Sequence, residues 1–208
     1  MKFRKSIVLP LILINVGIYI LQVALGGAFT NLFTVKRLDI IYAPWTLITS
    51  MFLHGSIWHI AINMWVLYMF GTLLESKIGT KRFILIYFIS GILASIASNF
   101  VYDAALGASG AIMGVLGVCI ILMPDLRVML MFPPIPMSLQ TAGILIAALD
   151  IFGLLPGVAH AAHLGGLATG LVYGWMLKKK KHKFQKRFES KTRMNSDDVD
   201  EYIRSGRI

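Results

Sequence analysis

Hydrophobic residues in this chain of 208 residues fall into six long stretches that are separated by short polar segments. Stretches of this length that lack charged residues are typical of helices that cross a membrane. The pattern therefore predicts an all-α membrane protein with a bundle of six transmembrane helices. Their predicted bounds are 7–25, 57–74, 81–102, 110–123, 138–155 and 162–177.

Two of the connections between these stretches are long, and a polar segment follows the last stretch. A long connection over 26–56 includes a predicted interfacial helix at 44–53, which is too short and too polar to span. A proline-rich loop follows the fourth stretch at 124–137. We expect residues 1–177 to form the membrane domain and 178–208 to form a basic, polar cytoplasmic tail.

Charge fixes the predicted orientation. Charged residues make up 14% of the chain, against 57% hydrophobic, and the net charge is +10. With six spans, 18 of the 20 lysines and arginines lie on one side, and only Lys36 and Arg37 lie on the other. Because basic residues mark the cytoplasmic side, both termini are predicted to be cytoplasmic. The basic tail is then a topology anchor that also contacts anionic lipid, and we expect no nucleic-acid partner.

The fourth stretch is shorter than a membrane is thick. A helix over 110–123 is about 21 Å long, whereas the hydrocarbon core is roughly 30 Å thick. If its inner end lies at one interface, its outer end at Ser109 lies roughly 9 Å below the other. Free backbone N–H groups at that depth need a water-filled cavity or protein partners. A tight contact between helices explains the nearby glycines equally well.

Four polar residues lie near the outer ends of the second, fourth and sixth helices, which are parallel. They are Ser109, His163, His59 and Asn63. Serine becomes a nucleophile when a base takes its proton, and histidine is a suitable base. The two residues at 59 and 63 are one helical turn apart and could both donate to a developing oxyanion.

Glycines four residues apart predict that the fourth and sixth helices pack closely. Gly110 and Gly114 share one face of the fourth helix, and Gly166 and Gly170 share one face of the sixth. Small residues at this interval allow two helix backbones to approach each other. Such packing would bring His163 towards Ser109.

The motifs that these residues form resemble those of the rhomboid intramembrane serine proteases. Gly107-Ala108-Ser109-Gly110 is similar to the family's GxSG, and residues 59–63, with His59 and Asn63, to its HxxxN. Residues 162–170 are similar to AHxxGxxxG, and residues 71–75 to GxxxE. The resemblance covers roughly residues 7–177, which is the six-helix core of prokaryotic-type members.

The resemblance implies a serine–histidine dyad with Ser109 as nucleophile and His163 as general base and acid. It also implies an oxyanion hole formed by His59, Asn63 and the backbone N–H of Ser109. The implied substrates are single-span membrane proteins that are cut near their extracytoplasmic end, and the implied location is a prokaryotic cell membrane. No cofactor is implied.

Two departures from the family pattern stand out. Some members carry a Trp-Arg pair in the first outer loop, and 26–56 contains none. Some place a tyrosine four residues after the serine, where it stacks on the catalytic histidine; this chain has Met113 there. Asp150, near the outer end of the fifth helix, is predicted to be a polar packing contact rather than a third catalytic residue.

Three other classes compete with a protease. The histidines at 54, 59, 160 and 163 raise the possibility of a metal site, but no HExxH motif is present, and we predict no metal. A transporter usually shows inverted repeats and charged residues along its pathway, which this sequence lacks. A non-proteolytic relative that binds transmembrane clients is the remaining alternative, and the presence of both Ser109 and His163 argues against it.

Overall fold

The computed structural model describes residues 6–37, 39–129, 134–154 and 157–189, together with Asp197, Asp200 and Arg204. Six helices of more than ten residues lie in these ranges. They are α1 (Val8–Phe33), α2 (Ile57–Ile78), α3 (Thr80–Asn99), α4 (Ser109–Leu122), α5 (Leu139–Ile151) and α6 (His160–Glu189). A short helical segment before α2 consists of Thr46–Thr49 and Ser50–Phe52, within the predicted interfacial helix.

Three of the described helices, α1, α2 and α3, are long and apolar enough to cross a membrane. Two more, α4 and α5, are apolar but have only 14 and 13 residues. The chain is therefore a membrane protein with several apolar helices. Six crossings and two cytoplasmic termini stay predictions.

Two helices are longer than the hydrophobic pattern indicated. Helix α1 runs eight residues past the predicted end at 25, and Gly26, with φ 75°, marks a kink inside it. Helix α6 begins at His160 and continues through the lysine run to Glu189. Lysine is a good helix former, so a change from apolar to basic composition need not end a helix. The predicted division of the chain at 177 is thus not a break in secondary structure.

The described chain is mostly helical, as predicted, and two small antiparallel ribbons lie in its connections. Strand β1 (Val35–Lys36) pairs with β2 (Ala104–Ala105), and β3 (Arg127–Met129) pairs with β4 (Pro136–Ser138). Backbone groups in a connection need hydrogen-bond partners, and a ribbon provides them. Strands of two or three residues are too short to show a period of two in the sequence.

Helix α4 is the centre of the molecule. Its residues from Gly110 to Cys119 are all buried, as expected for a helix that is apolar on every side. Helices α3 and α6 pack along it, and α2 and α5 contact it at other points. The short predicted span is therefore an interior helix surrounded by other helices.

Glycines bring α4 and α6 into backbone contact, as predicted. A Cβ added at Gly166 would lie 2.0 Å from the carbonyl oxygen of Gly110, and one at Gly170 would lie 2.0 Å from that of Gly114. The missing side chains of Gly110 and Gly114 instead face α3, at Ala94 and Ser90. We call the α4–α6 contact at these four glycines the glycine seam.

Glu75, from the segment that resembles GxxxE, joins the other ends of three helices. Its carboxylate accepts hydrogen bonds from the Ser6 hydroxyl and the Ile7 backbone N–H, which precede α1. It also accepts one from the Thr80 hydroxyl at the start of α3. The buried Glu75 carboxylate therefore connects the start of α1, the end of α2 and the start of α3.

Candidate active site

A cavity of about 650 Å³ lies where α2, α4 and α6 begin. All four predicted site residues line it: His59, Asn63, Ser109 and His163. The remaining walls come mainly from β2 and the two connections that lead into α4 and α6. Those other lining residues are Thr34, Gly55, Ile62, Tyr102, Ala104, Ala105, Leu106, Gly157, Val158 and Ala159.

Ser109 is the first residue of α4, and Gly107 shapes the turn that leads to it. Gly107 has φ 128°, a conformation that residues with a side chain rarely adopt. A Cβ at this position would also lie 2.9 Å from Cε1 of His59 and 3.0 Å from its Nε2, with the Ser109 hydroxyl oxygen 3.8 Å away. The glycine thus lets the His59 ring and the Ser109 hydroxyl approach the same small region.

His59 is held in the first turn of α2. Ser56 caps this helix, since its hydroxyl accepts a hydrogen bond from the His59 backbone N–H. The Gly55 backbone N–H donates to Nδ1 of the ring at 3.3 Å. Because Nδ1 accepts, a neutral ring carries its proton on Nε2. That N–H lies on the side of Gly107 and Ser109.

Asn63 lies one turn further along the same face of α2. Its side chain is buried, with the residue only 6% exposed. Its amide nitrogen, Nδ2, makes no hydrogen bond to any other described residue. Among the buried unpartnered side-chain atoms of the described residues, it is the only one whose residue lines this cavity, so it is available to donate a hydrogen bond there.

His163 lies in the first turn of α6 and contacts Asp150 near the end of α5. Nδ1 of His163 is 3.2 Å from one carboxylate oxygen of Asp150, and Nδ1 of His160 is 2.9 Å from the other. The Asp150 side chain is fully buried. A polar contact of Asp150 is thus present, but the sequence did not indicate that its partners would be these two histidines.

Ser109 and His163 share the cavity without bonding to each other. The structure, within its described residues, gives no direct hydrogen bond between them. Catalytic hydrogen bonds are often long before substrate binds and shorten in the complex. The arrangement can therefore support nucleophilic chemistry once the two side chains come together.

Sequence reasoning missed Tyr102, which also lines the cavity. The Ala161 backbone N–H donates to its hydroxyl at 3.4 Å, which ties the start of the α3–α4 connection to the start of α6. A tyrosine at the polar end of an apolar helix is the only signal for it in the sequence. The departure at Met113 has a structural correlate, since this residue is buried in α4 and does not line the cavity.

The histidines that raised the possibility of a metal site form two pairs, His54 with His59 and His160 with His163. His54 is buried behind His59, with ring centroids 5.1 Å apart. Burial, and then the nearby His59, lowers the pKa of His54 to about 4. Within the described ranges, no group of three histidine, cysteine or acidic residues is arranged to hold a metal ion.

Comparison with known proteins finds a matching family model and several similar proteins. A family model described as the rhomboid domain matches residues 42–180. Rhomboid protein 1, mitochondrial, of Saccharomyces cerevisiae is 31% identical over 195 residues, which cover 88% of this chain and 56% of that protein. RHOMBOID-like protein 6, mitochondrial, of Arabidopsis thaliana is 37% identical over 136 residues, covering 64% of this chain and 43% of that protein.

The presenilin-associated rhomboid-like protein, mitochondrial, of Homo sapiens is also similar. It is 36% identical over 143 residues, which cover 61% of this chain and 36% of that protein. The chain therefore spans little more than half of the yeast relative and less than half of the other two.

Proposed function

The chain belongs to the rhomboid family, and on that premise we propose that it is an intramembrane serine endopeptidase. It cleaves transmembrane segments of membrane proteins near the extracytoplasmic face through a dyad of Ser109 and His163. One observation carries this proposal: the four polar residues of three motifs line a single cavity at the starts of three helices. Polar groups within a membrane are costly, so their convergence indicates function rather than packing.

The four side chains then have the following roles in the proposed reaction. Nε2 of His163 takes the hydroxyl proton of Ser109 as the oxygen attacks the scissile carbonyl, and later gives that proton to the leaving amine. The Ser109 backbone N–H, His59 Nε2–H and Asn63 Nδ2–H stabilise the oxyanion. The unpaired amide of Asn63 supports this assignment, because a donor that awaits an oxyanion has no partner in the resting protein.

The membrane arrangement follows from the same helices. We propose six crossings with both termini cytoplasmic, single-span proteins as substrates, and the lipid bilayer as the medium. The 14 residues of α4 support a serine below the outer surface, since a helix of that length does not cross the hydrocarbon core. The three relatives above are mitochondrial by name, so the prediction of a prokaryotic cell membrane has no support from them.

The alternative function is that of a non-proteolytic relative that binds transmembrane clients. It would need the cavity but not the nucleophile and base. A fluorophosphonate probe distinguishes the two, because it reacts only with an activated serine. We expect labelling of the purified protein in detergent at Ser109, together with cleavage of a model transmembrane substrate. Ser109→Ala should abolish both, and cleavage retained by that variant would refute the assignment.

The position of the cut tests the depth of the serine. A helical peptide bond is shielded by its own hydrogen bonds, so a substrate must unwind locally, which helix-weakening residues favour. A model span should carry one alanine-containing site, with a Gly-Pro pair just downstream, moved along its length. We expect cleavage only at outer-leaflet positions and its loss when the pair becomes Leu-Leu. Equal cleavage near the cytoplasmic side would contradict both depth and topology.

A further inference from the structure

We propose that Asp150 is a positioning residue for His163, and that His160 holds Asp150 in place for this role. The inference rests on the proposed function, and it extends the dyad to a chain of contacts in which α5 supports the base on α6. It differs from the prediction made from the sequence, in which Asp150 was only a packing contact.

The contacts define which nitrogen of His163 can act. An ionised carboxylate only accepts hydrogen bonds, so an imidazole nitrogen that contacts it must carry a proton. Nδ1 of His163, 3.2 Å from Asp150, is therefore the protonated nitrogen of the neutral ring. Nε2 is left with its lone pair and is the only ring nitrogen that can take the hydroxyl proton of Ser109.

Because Asp150 is buried, its carboxylate depends on hydrogen bonds from protein side chains. The Asp150 side chain has no exposed surface, and a buried carboxylate is costly unless each oxygen finds a donor. His163 and His160 supply one donor to each oxygen. Among the described residues these two histidines are the only side chains that hydrogen-bond to Asp150.

His160 has a distinct task in this arrangement. It lies three residues before His163 on the same face of α6, so both rings reach the same carboxylate. Its bond to the second oxygen, at 2.9 Å, stops the carboxylate from rotating away from His163. No aromatic ring among the described residues packs against His163, so Asp150 is the contact that orients this imidazole.

The proton balance follows directly. The Ser109 hydroxyl proton moves to Nε2 as the Oγ–carbon bond forms, and the imidazolium keeps its Nδ1 proton beside the carboxylate. The Asp150 carboxylate accepts the Nδ1 hydrogen bond and stabilises this cation, as the acid of a serine-protease triad does. When the C–N bond breaks, the Nε2 proton leaves with the amine, and no other reactant is required.

The test compares kcat and KM for variants of the full-length protein on the model substrate. We expect Asp150→Ala to lower kcat about 10²- to 10⁴-fold with KM within about threefold, because the loss falls on the transition state. Asp150→Asn should lower kcat at least about tenfold, since an amide can accept from His163 but cannot stabilise an imidazolium by charge.

The His160 variants separate positioning from mere packing. His160→Ala should lower kcat about tenfold. His160→Asn, whose amide can donate from near the Nδ1 position, should restore kcat to within about threefold of wild type. If Asp150 and His160 only stabilise the fold, His160→Ala and His160→Asn will have the same kcat. That result would overturn the inference.

Asn15 provides the matched control. It is a fully buried polar residue in α1 whose amide bonds to the Leu11 carbonyl, away from the cavity. Asn15→Ala should lower the melting temperature about as much as Asp150→Ala, with kcat within about threefold of wild type. If Asp150→Ala does not fold, Asp150→Asn, which keeps the shape of the side chain, decides the question.

Two failures are distinguishable. If the wild type cleaves in a Ser109-dependent manner and kcat of Asp150→Asn stays within about threefold, the proposed function stands and this inference is overturned. If the wild type shows no Ser109-dependent cleavage or labelling, both are overturned.

Discussion

The glycine seam and the cavity are built from the same two helices, α4 and α6, yet they are opposite in character. Along the seam the backbones touch, and even one added carbon at Gly166 or Gly170 would lie 2.0 Å from a carbonyl oxygen. At the ends that bear Ser109 and His163 the helices border a space of about 650 Å³, whose lining includes a few polar side chains and the unpartnered amide nitrogen of Asn63.

The difference shows how one pair of helices can be closely packed along its length and still border a cavity at one end. Close packing fixes the position of each helix end, because a packed interior does not deform continuously. The polar groups above it can then remain unpaired without the site collapsing around them. Substitutions at the cavity should therefore change chemistry with little effect on stability, and substitutions at the seam should change both.

The largest effect should come from His163 at the cavity. We expect His163→Ala to lower the rate of cleavage by at least about 10³-fold, because no base remains for the serine hydroxyl. The protein should stay folded with a modest fall in melting temperature, because one oxygen of the buried Asp150 carboxylate loses its donor while the other keeps His160. Cleavage assays beside thermal unfolding in the same detergent measure both quantities, and a large fall in stability would erase the contrast between the regions.

The second substitution, Gly170→Leu, should push α4 and α6 apart at the glycine seam. The two backbones would have to separate, which costs several kcal/mol and lowers the melting temperature by on the order of 10 °C. Activity should fall with it, since His163 would move relative to Ser109. The matched control is Gly17→Leu in α1, where nothing lies within 4 Å of an added Cβ. Equal stability of the two variants would show that the seam is not what holds α4 and α6.

Substitution of Asn63, the unpartnered donor at the cavity, should affect the rate of cleavage much more than stability. Asn63→Ala should lower kcat about 10²- to 10³-fold, the usual loss for one oxyanion donor. Its stability should be unchanged or slightly raised, because a buried group without a partner is removed. His59→Ala should show a similar kinetic loss. Wild-type turnover in either variant would remove that residue from the oxyanion role.

The smallest expected effect concerns acid and His54. Its pKa is about 4 in the folded protein, below the ordinary value of 6.5, so the unfolded chain binds its proton first. The contribution of His54 to stability is therefore complete above pH 6.5 and is lost as pH falls towards 4. It amounts to at most about 3 kcal/mol. His54→Phe should lose less stability than wild type between pH 7.5 and 5, as measured by thermal unfolding, and parallel losses would contradict this.

The sequence was a good guide where spacing alone decides geometry. The sequence predicted that His59, Ser109 and His163 would lie near one another, and they line one cavity. Glycines four apart predicted the close contact of α4 and α6, although the missing side chains of Gly110 and Gly114 face α3. It was a poor guide where a connection decides geometry. The contacts of Asp150 depend on where α5 ends and how the chain returns to His160, and neither follows from periodicity. The ribbon of β1 and β2 joins segments almost 70 residues apart for the same reason.

Helix α6 is one continuous rod of 30 residues, about 45 Å long, with an imidazole near one end and a lysine run near the other. The backbone contacts at Gly166 and Gly170 hold this rod against α4, so any tilt of α6 would turn about them. His163 lies about 10 Å beyond Gly170, so a tilt of about 5° at that glycine would move the ring by about 1 Å. Displacements of this size can change a rate about 100-fold. A force applied at the lysine run would therefore be transmitted through one continuous helix to the imidazole at the far end.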